Sequence, residues 1–134
     1  MTQIAFADTF YYLALGNPRD SAHEQALSIS NQFTGQIVTS AWILQELADG
    51  LAIPPTRNSF LNLLSALEGD DRTTIVLPSV EHWRLGLALY RSRPDKSWSL
   101  TDCISFEIMR ERGVTDALTA DRHFEQAGFN ILFR

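Results

Sequence analysis

Five short apolar runs, at 3–7, 36–39, 73–77, 117–119 and 130–133, alternate with longer stretches whose apolar residues recur at helical spacing, at 21–33, 41–53, 56–67, 80–92, 100–112 and 122–127. The short runs have strand length and the long ones helix length. A further helix is expected to start near Thr9-Phe10. A chain that alternates in this way joins parallel strands through helices that cover both faces of the sheet. The expected fold is therefore α/β: a three-layer α/β/α arrangement around a central, mainly parallel five-stranded sheet. Gly16, Gly35, Gly69, Gly113 and Gly128 fall just past expected helices, where a left-handed cap favours glycine. Gly50 and Gly86 lie inside helical patterns and imply either local weakness or close packing. Pro54-Pro55 separates the third helix from the fourth, and Arg93-Pro94-Asp95-Lys96 forms a loop before the sixth.

With 134 residues, 45% of them hydrophobic, the chain has the size of one domain, and residues 1–134 are expected to form a single unit with its own core. No internal repeat or linker interrupts it. Met1-Thr2-Gln3-Ile4 lacks a basic leader pattern, and no apolar run approaches the roughly 18 residues of a membrane span. A soluble, unexported protein with no membrane association is expected. Its one cysteine, Cys103, permits no intrachain disulfide and no Cys/His zinc set, which suits a reducing cytoplasm. The net charge of -5 argues against a simple basic nucleic-acid binder. That charge is uneven, however. Residues 1–80 hold three basic and eight acidic residues, whereas 81–134 hold eight of each, including Arg84, Arg91, Arg93, Lys96, Arg110, Arg112 and Arg122.

Four acids stand out by position. Asp8 follows the first strand directly, and the carboxyl ends of parallel strands form the crevice where ligands bind. Its structural alternative is to cap the helix that begins beside it. Glu46 lies on the border of the apolar face made by Ile43, Leu44, Leu47 and Leu51, so it can point into a cleft or into solvent. Asp102 stands three residues after Ser99, the spacing of a capping box. Asp121 follows the fourth strand and can cap the short last helix. Three of these acids fall at strand ends or helix starts on one edge of the expected sheet, and Glu46 can reach them from the helix after the second strand. Such a cluster is physically reasonable mainly as a cation site, because unscreened carboxylates repel and raise one another's pKa. Oxygen ligands without His or Cys select Mg²⁺ or Mn²⁺ rather than zinc. Asp95 and Asp116 read as loop acids, His123 as a residue that packs or caps in its short helix, and Trp42, Trp83 and Trp98 as core aromatics at helical spacing.

The segments Phe6-Ala7-Asp8-Thr9, Thr39-Ser40 through Gln45-Glu46-Leu47, Trp98-Ser99-Leu100-Thr101-Asp102-Cys103 and Ala117-Leu118-Thr119-Ala120-Asp121-Arg122-His123-Phe124 together resemble PIN-domain ribonucleases. Within that family the resemblance is closest to the VapC-type toxins of bacterial toxin-antitoxin pairs, and it covers the whole chain. It implies a PIN-like fold and a divalent-metal-dependent endoribonuclease in which Asp8, Glu46, Asp102 and Asp121 take the family's acidic positions. Thr119 matches a hydroxyl residue that accompanies the last acid. On this reading Asp8 and Asp102 contact metal directly, Glu46 is a ligand or orients water, and Asp121 acts through water or from the outer shell. The resemblance also implies an RNA substrate, a cognate antitoxin and a homodimer. An antitoxin is expected to lay an apolar segment between helices, with Phe60, Leu61, Leu63, Leu64 and Leu67 as walls, although the same residues suit ordinary core packing.

Two other classes remain for comparison. One is a catalytically inactive PIN-like module that binds RNA or protein, against which the retention of four acids counts. The other is phosphoryl transfer on a small substrate. Phe10, not an acid, stands two residues after Asp8, no acidic pair closes the first strand, and no two glycines lie close enough for a phosphate loop.

Overall fold

The computed structural model describes residues 3–134; Met1 and Thr2, the start of the segment that lacks a leader pattern, lie outside the described residues. The chain runs β1 (Ile4–Ala7), α1 (Thr9–Gly16), α2 (His23–Gln32), β2 (Gln36–Ser40), α3 (Ala41–Gly50), α4 (Thr56–Glu68), β3 (Thr73–Val76), α5 (Val80–Ser92), α6 (Leu100–Arg112), β4 (Asp116–Leu118), α7 (Arg122–Gln126) and β5 (Asn130–Ile131). The strands form one sheet in the order β3-β2-β1-β4-β5, and every pairing is parallel.

That order fixes the layers. The path moves outward from β1 to β2 to β3, then returns across the sheet to β4 and continues to β5. Right-handed crossovers put helices on one face during the outward path and on the other after the return. Helix packing agrees, since α1 packs on α2 and α3, α3 packs on α4, and α6 packs on α5 and α7. Central β1 is enclosed from both sides, with Ala5, Phe6 and Ala7 fully buried. Phe6 and Phe106 both pack on the Phe124 ring. No helix among the described residues is long and apolar enough to cross a membrane.

Two expected helices are shorter than their periodicity suggests. The stretch 21–33 becomes helical only at His23, because Asn17 and Asp20 side chains accept from the amides of Arg19 and Ala22 and hold a turn there. The stretch 41–53 stops at Gly50, after which the Thr56 hydroxyl bonds the carbonyls of Leu51 and Ile53, and Arg57 bonds that of Ala52.

The glycine expectation needs correction at three positions. Only Gly113 (φ 66°) and Gly128 (φ 99°) are left-handed. Gly16 is the last residue of α1, and Gly69 caps α4 in a right-handed conformation. Gly35 is required for a different reason: a Cβ there would collide with the Gln3 carbonyl. Gly86 marks close packing, the second of the two readings its place inside a helix allowed. A Cβ on it would collide with Ile104 Cγ1 and lie 3.2 Å from the Ile104 backbone, so its absence lets α5 approach α6. His82 fastens the same pair of helices, with its Nδ1 2.9 Å from Ser79 Oγ and its Nε2 3.1 Å from the Glu111 carboxylate.

Gly86→Ala is expected to destabilise the protein by about 1–3 kcal/mol, because the Ile104 backbone has little room to yield. Gly50→Ala, which meets nothing within 4 Å, should be neutral or slightly stabilising. Urea denaturation of both variants checks the difference, and equal midpoints would refute the close-approach explanation.

Candidate active site

The sheet order reverses between β1 and β4, and such a switch point opens a crevice beyond the carboxyl ends of the two strands. Ala7 pairs with Leu118 in register, so the next residues along each strand, Asp8 and Thr119, emerge together. Asp8 occupies the N-cap position of α1 but makes no side-chain cap bond. Its carboxylate turns to the neighbouring strand, where Thr119 Oγ1 donates to Asp8 Oδ2 at 3.0 Å. The fully buried Thr119 hydroxyl also accepts from the Asp121 amide at 3.0 Å, and so couples the first acid to the loop that presents the last.

Asp121 caps α7, with Oδ1 accepting from the His123 amide at 2.9 Å. Asp102 forms the capping box that its spacing suggests: Ser99 Oγ accepts from the Asp102 amide, and Asp102 Oδ2 accepts from the Ser99 amide, each at 3.0 Å. Both residues therefore serve as caps while their carboxylates converge. His123 Nδ1 stands between them, 3.1 Å from Asp102 Oδ2 and 3.4 Å from Asp121 Oδ1. One ligand atom from each of Asp102, Asp121 and His123 lies within 4.8 Å of the others.

Glu46 reaches the cluster by a different route. It is exposed on α3, and its Oε1 accepts from the Thr9 hydroxyl at 2.5 Å, one residue after Asp8. With Thr101, the neighbour of Asp102, it lines a hollow of about 330 Å³ that Trp42 and Trp83 also border. The structure thus joins Asp8, Asp102 and Asp121 through short links and holds Glu46 at the rim.

The expectation that His123 packs or caps within its own short helix needs correction. Its imidazole instead reaches Asp102, 21 residues earlier. A histidine two places after a strand-end acid, in the first turn of a helix, was the only available signal. Trp98 is core as expected, whereas Trp83 is 46% exposed.

Burial pushes Asp8 from its ordinary value of 3.8 up to about 7; the charges of Asp102 and Asp121 add to the rise, and the Thr119 hydrogen bond opposes it. Asp102 is also raised, first by burial and further by Asp121, against the opposing Ser99 amide and His123. Among the described residues no lysine or arginine pairs with any of the four acids. Several carboxylates sharing a partly buried site without a basic partner suit a divalent cation, and a mainly oxygen donor set fits Mg²⁺ or Mn²⁺.

Compared with known protein families, residues 6–130 match the PIN domain. The chain belongs to the PIN-domain family. No curated protein matches it significantly in sequence. Its fold is similar to that of VapC20 from Mycobacterium tuberculosis, a toxin that cleaves the sarcin-ricin loop. The TM-score is 0.85 over 95% of this chain and 96% of that one, at 23% identity. It is also similar to VapBC2 from Rickettsia felis, whose structure holds a fragment of promoter DNA (TM-score 0.68, 14% identity, 96% of this chain and 97% of that one). FitAcB from Neisseria gonorrhoeae gives the same TM-score of 0.68 at 16% identity, with 96% of each chain covered. The five-stranded parallel sheet of this PIN domain is thus the fold of those proteins.

The raised Asp8 pKa has a direct consequence for stability. Between pH 3.8 and about 7 the folded domain binds a proton at Asp8 that the unfolded chain has released, so stability of the metal-free protein falls as pH rises through that window. Above pH 7 the loss reaches on the order of 4 kcal/mol at most. Asp8→Asn keeps an acceptor for Thr119 and carries no charge, so it should flatten the slope and exceed the wild type in stability at pH 8. Urea denaturation in chelator at pH 5, 6, 7 and 8 checks this, and a variant with the wild-type slope would contradict it.

Proposed function

We infer that this PIN domain, acting as one unit over residues 1–134, is a divalent-metal-dependent endoribonuclease and the toxin of a toxin-antitoxin pair. The observation that carries the reading is the convergence of Asp8, Asp102 and Asp121 on the switch-point crevice with no lysine or arginine paired to any of them among the described residues. Family membership and the likeness to a sarcin-ricin-loop-cleaving toxin support RNA as the substrate.

A bound Mg²⁺ or Mn²⁺ would supply Lewis acidity to the scissile phosphate and offset the acidic field that otherwise repels RNA. Asp8 and Asp102 are the residues that would hold it. Thr119 keeps the Asp8 carboxylate aimed into the crevice, and Ser99 and His123 fix that of Asp102. Asp121, whose Oδ1 accepts from the His123 amide at the α7 cap, acts through water or from the outer shell. Glu46, held by Thr9 at the rim, is a further ligand or orients the attacking water.

Two surfaces support the rest of the reading. A groove of about 350 Å³ between α3, α4 and β3 is lined by Ala41, Leu44, Ala48, Phe60, Leu64 and Leu77, among others, and suits an apolar antitoxin segment. Of the five walls expected there, Phe60 and Leu64 line it, Leu61 is exposed beside it, and Leu63 and Leu67 pack into the core. Val80 and Trp83 are exposed at helical spacing on α5, which suits a homodimer face. The reading places this activity in the cytoplasm.

Purified protein incubated with a pool of structured and single-stranded RNAs should cleave with Mg²⁺ or Mn²⁺ and stop with chelator. Asp8→Asn and Asp102→Asn should each lose about a hundredfold or more, and Thr119→Val about tenfold. Cleavage that survives both aspartate substitutions would sink the site. RNA binding without cleavage by any form would favour an inactive module, and turnover of a small phosphoester alone would favour phosphoryl transfer.

A further inference from the structure

The last turn of α5 and the loop to α6 enclose a hollow of about 550 Å³ lined by Tyr90, Arg91, Arg93, Lys96, Trp98 and Ser99, with others. It is basic in a chain whose net charge is -5. Three cations line it, of which Arg93 is held from outside by Asp95 through two bonds of 3.0 and 2.9 Å. Arg91 and Lys96 have no carboxylate partner among the described residues. The buried Trp98 indole forms the floor, with the Arg93 guanidinium 5.2 Å and the Lys96 ammonium 5.8 Å from its ring centre. Its Nε1 donates to Gln126 of α7, which fixes the ring. Tyr90, by contrast, is half exposed at the rim.

This hollow adjoins the carboxylates without belonging to them. Ser99 lines it and at the same time donates its amide to Asp102 Oδ2. On the other side of the same helical turn, Leu100 and Thr101 line the hollow that holds Glu46, Asp49 and the two half-open tryptophans. One side of Asp102 is therefore acidic and repels phosphate, and the other is basic and attracts it.

We propose that the Tyr90–Arg91–Lys96 hollow binds the single-stranded RNA backbone on one side of the scissile phosphate, and so sets how the strand enters the crevice. Unpaired cations beside an exposed aromatic ring are the pattern that single strands use, with phosphates on the charges and a base on the ring. Arg93 and Trp98 act as positioning residues that hold Lys96 in place. The proposal rests on the nuclease reading for the identity of the strand, but its test does not depend on cleavage.

Fluorescence anisotropy of a labelled single-stranded RNA, with chelator present so that no cut occurs, tests it on the full chain. The double substitution Arg91→Gln/Lys96→Gln should weaken binding about tenfold and reduce the salt slope of log Kd by about 1.4, as two lost phosphate contacts on a single strand require. Tyr90→Ala should weaken binding about tenfold while leaving the salt slope in place. Thermal melts confirm folding of each variant, and the charge-retaining pair Arg91→Lys/Lys96→Arg should restore most of the affinity. The proposal is overturned if the double variant binds RNA with the wild-type Kd and slope, or if the wild type binds no RNA. It is also overturned if a polyglutamate peptide outcompetes RNA and only peptide binding suffers, which would assign the hollow to an acidic protein partner. A wild type that binds RNA in chelator and never cuts it with Mg²⁺ or Mn²⁺ would count against the nuclease reading alone, leaving the variants to decide the hollow.

Discussion

Parallel pairing of β1 with β4, with Ala7 opposite Leu118, is the constraint from which the site follows. It brings Asp8 and Thr119 to the same edge of the sheet, and the 3.0 Å bond between them draws the Asp8 carboxylate toward the neighbouring strand. Asp8 lies at the N-cap of α1 yet gives no side-chain cap bond, so the favourable cap is forgone in order to aim the carboxylate sideways. The neighbouring acids show the opposite arrangement. Asp102, in the capping box of α6, and Asp121, the N-cap of α7, both serve their helix starts and still converge, because the first turn of a helix starting at the crevice presents its carboxylates there. Capping and clustering are compatible wherever several helices begin at one sheet edge.

This arrangement stores electrostatic tension. Asp8 and Asp102 are raised mainly by burial and then by neighbouring acids, and the groups that oppose the rise are hydrogen-bond donors and the charge of His123, with no lysine or arginine among them. A site held by Thr119, the Thr9 and Ser99 amides and His123 keeps its geometry without a lysine or arginine to balance its charge. A lysine or arginine in the same place would relax that tension and also occupy the position that a divalent ion fits. Stability is given up at one edge while the core, with Phe6, Phe106, Phe124 and Phe133 fully buried, supplies it elsewhere.

Much of this was legible in the sequence. The five strands and the α/β alternation follow from apolar runs, and both α5 and α6 begin and end where periodicity places them. The convergence of Asp8, Asp102 and Asp121 follows from their positions at strand ends and helix starts. Glu46 was found on the border of an apolar face, but its link to Thr9 depends on how α3 lies against α1, which no local pattern encodes. His123 was missed for the same reason, since its partner Asp102 is on another helix and its own segment shows only a short cap. Glycine was informative only where backbone conformation demanded it. Gly113 and Gly128 need a left-handed φ, whereas Gly35 and Gly86 need space, and spacing alone does not separate the two.

The charge asymmetry along the chain acquires meaning only when pairing is taken into account. In the second half, Arg93 is engaged by Asp95, Arg110 by Glu107, and Arg122 and Arg134 by Glu125. Arg84, Arg91, Lys96 and Arg112 have no carboxylate partner among the described residues. Of these, Arg91 and Lys96 lie together at the hollow that Ser99 connects to Asp102. A segment with eight charges of each sign is therefore not locally neutral, because ion pairing has sorted its charges into an acidic crevice and a basic flank. Such a boundary gives an incoming polyanion an orientation, with its backbone drawn to one side of Asp102 and excluded from the other.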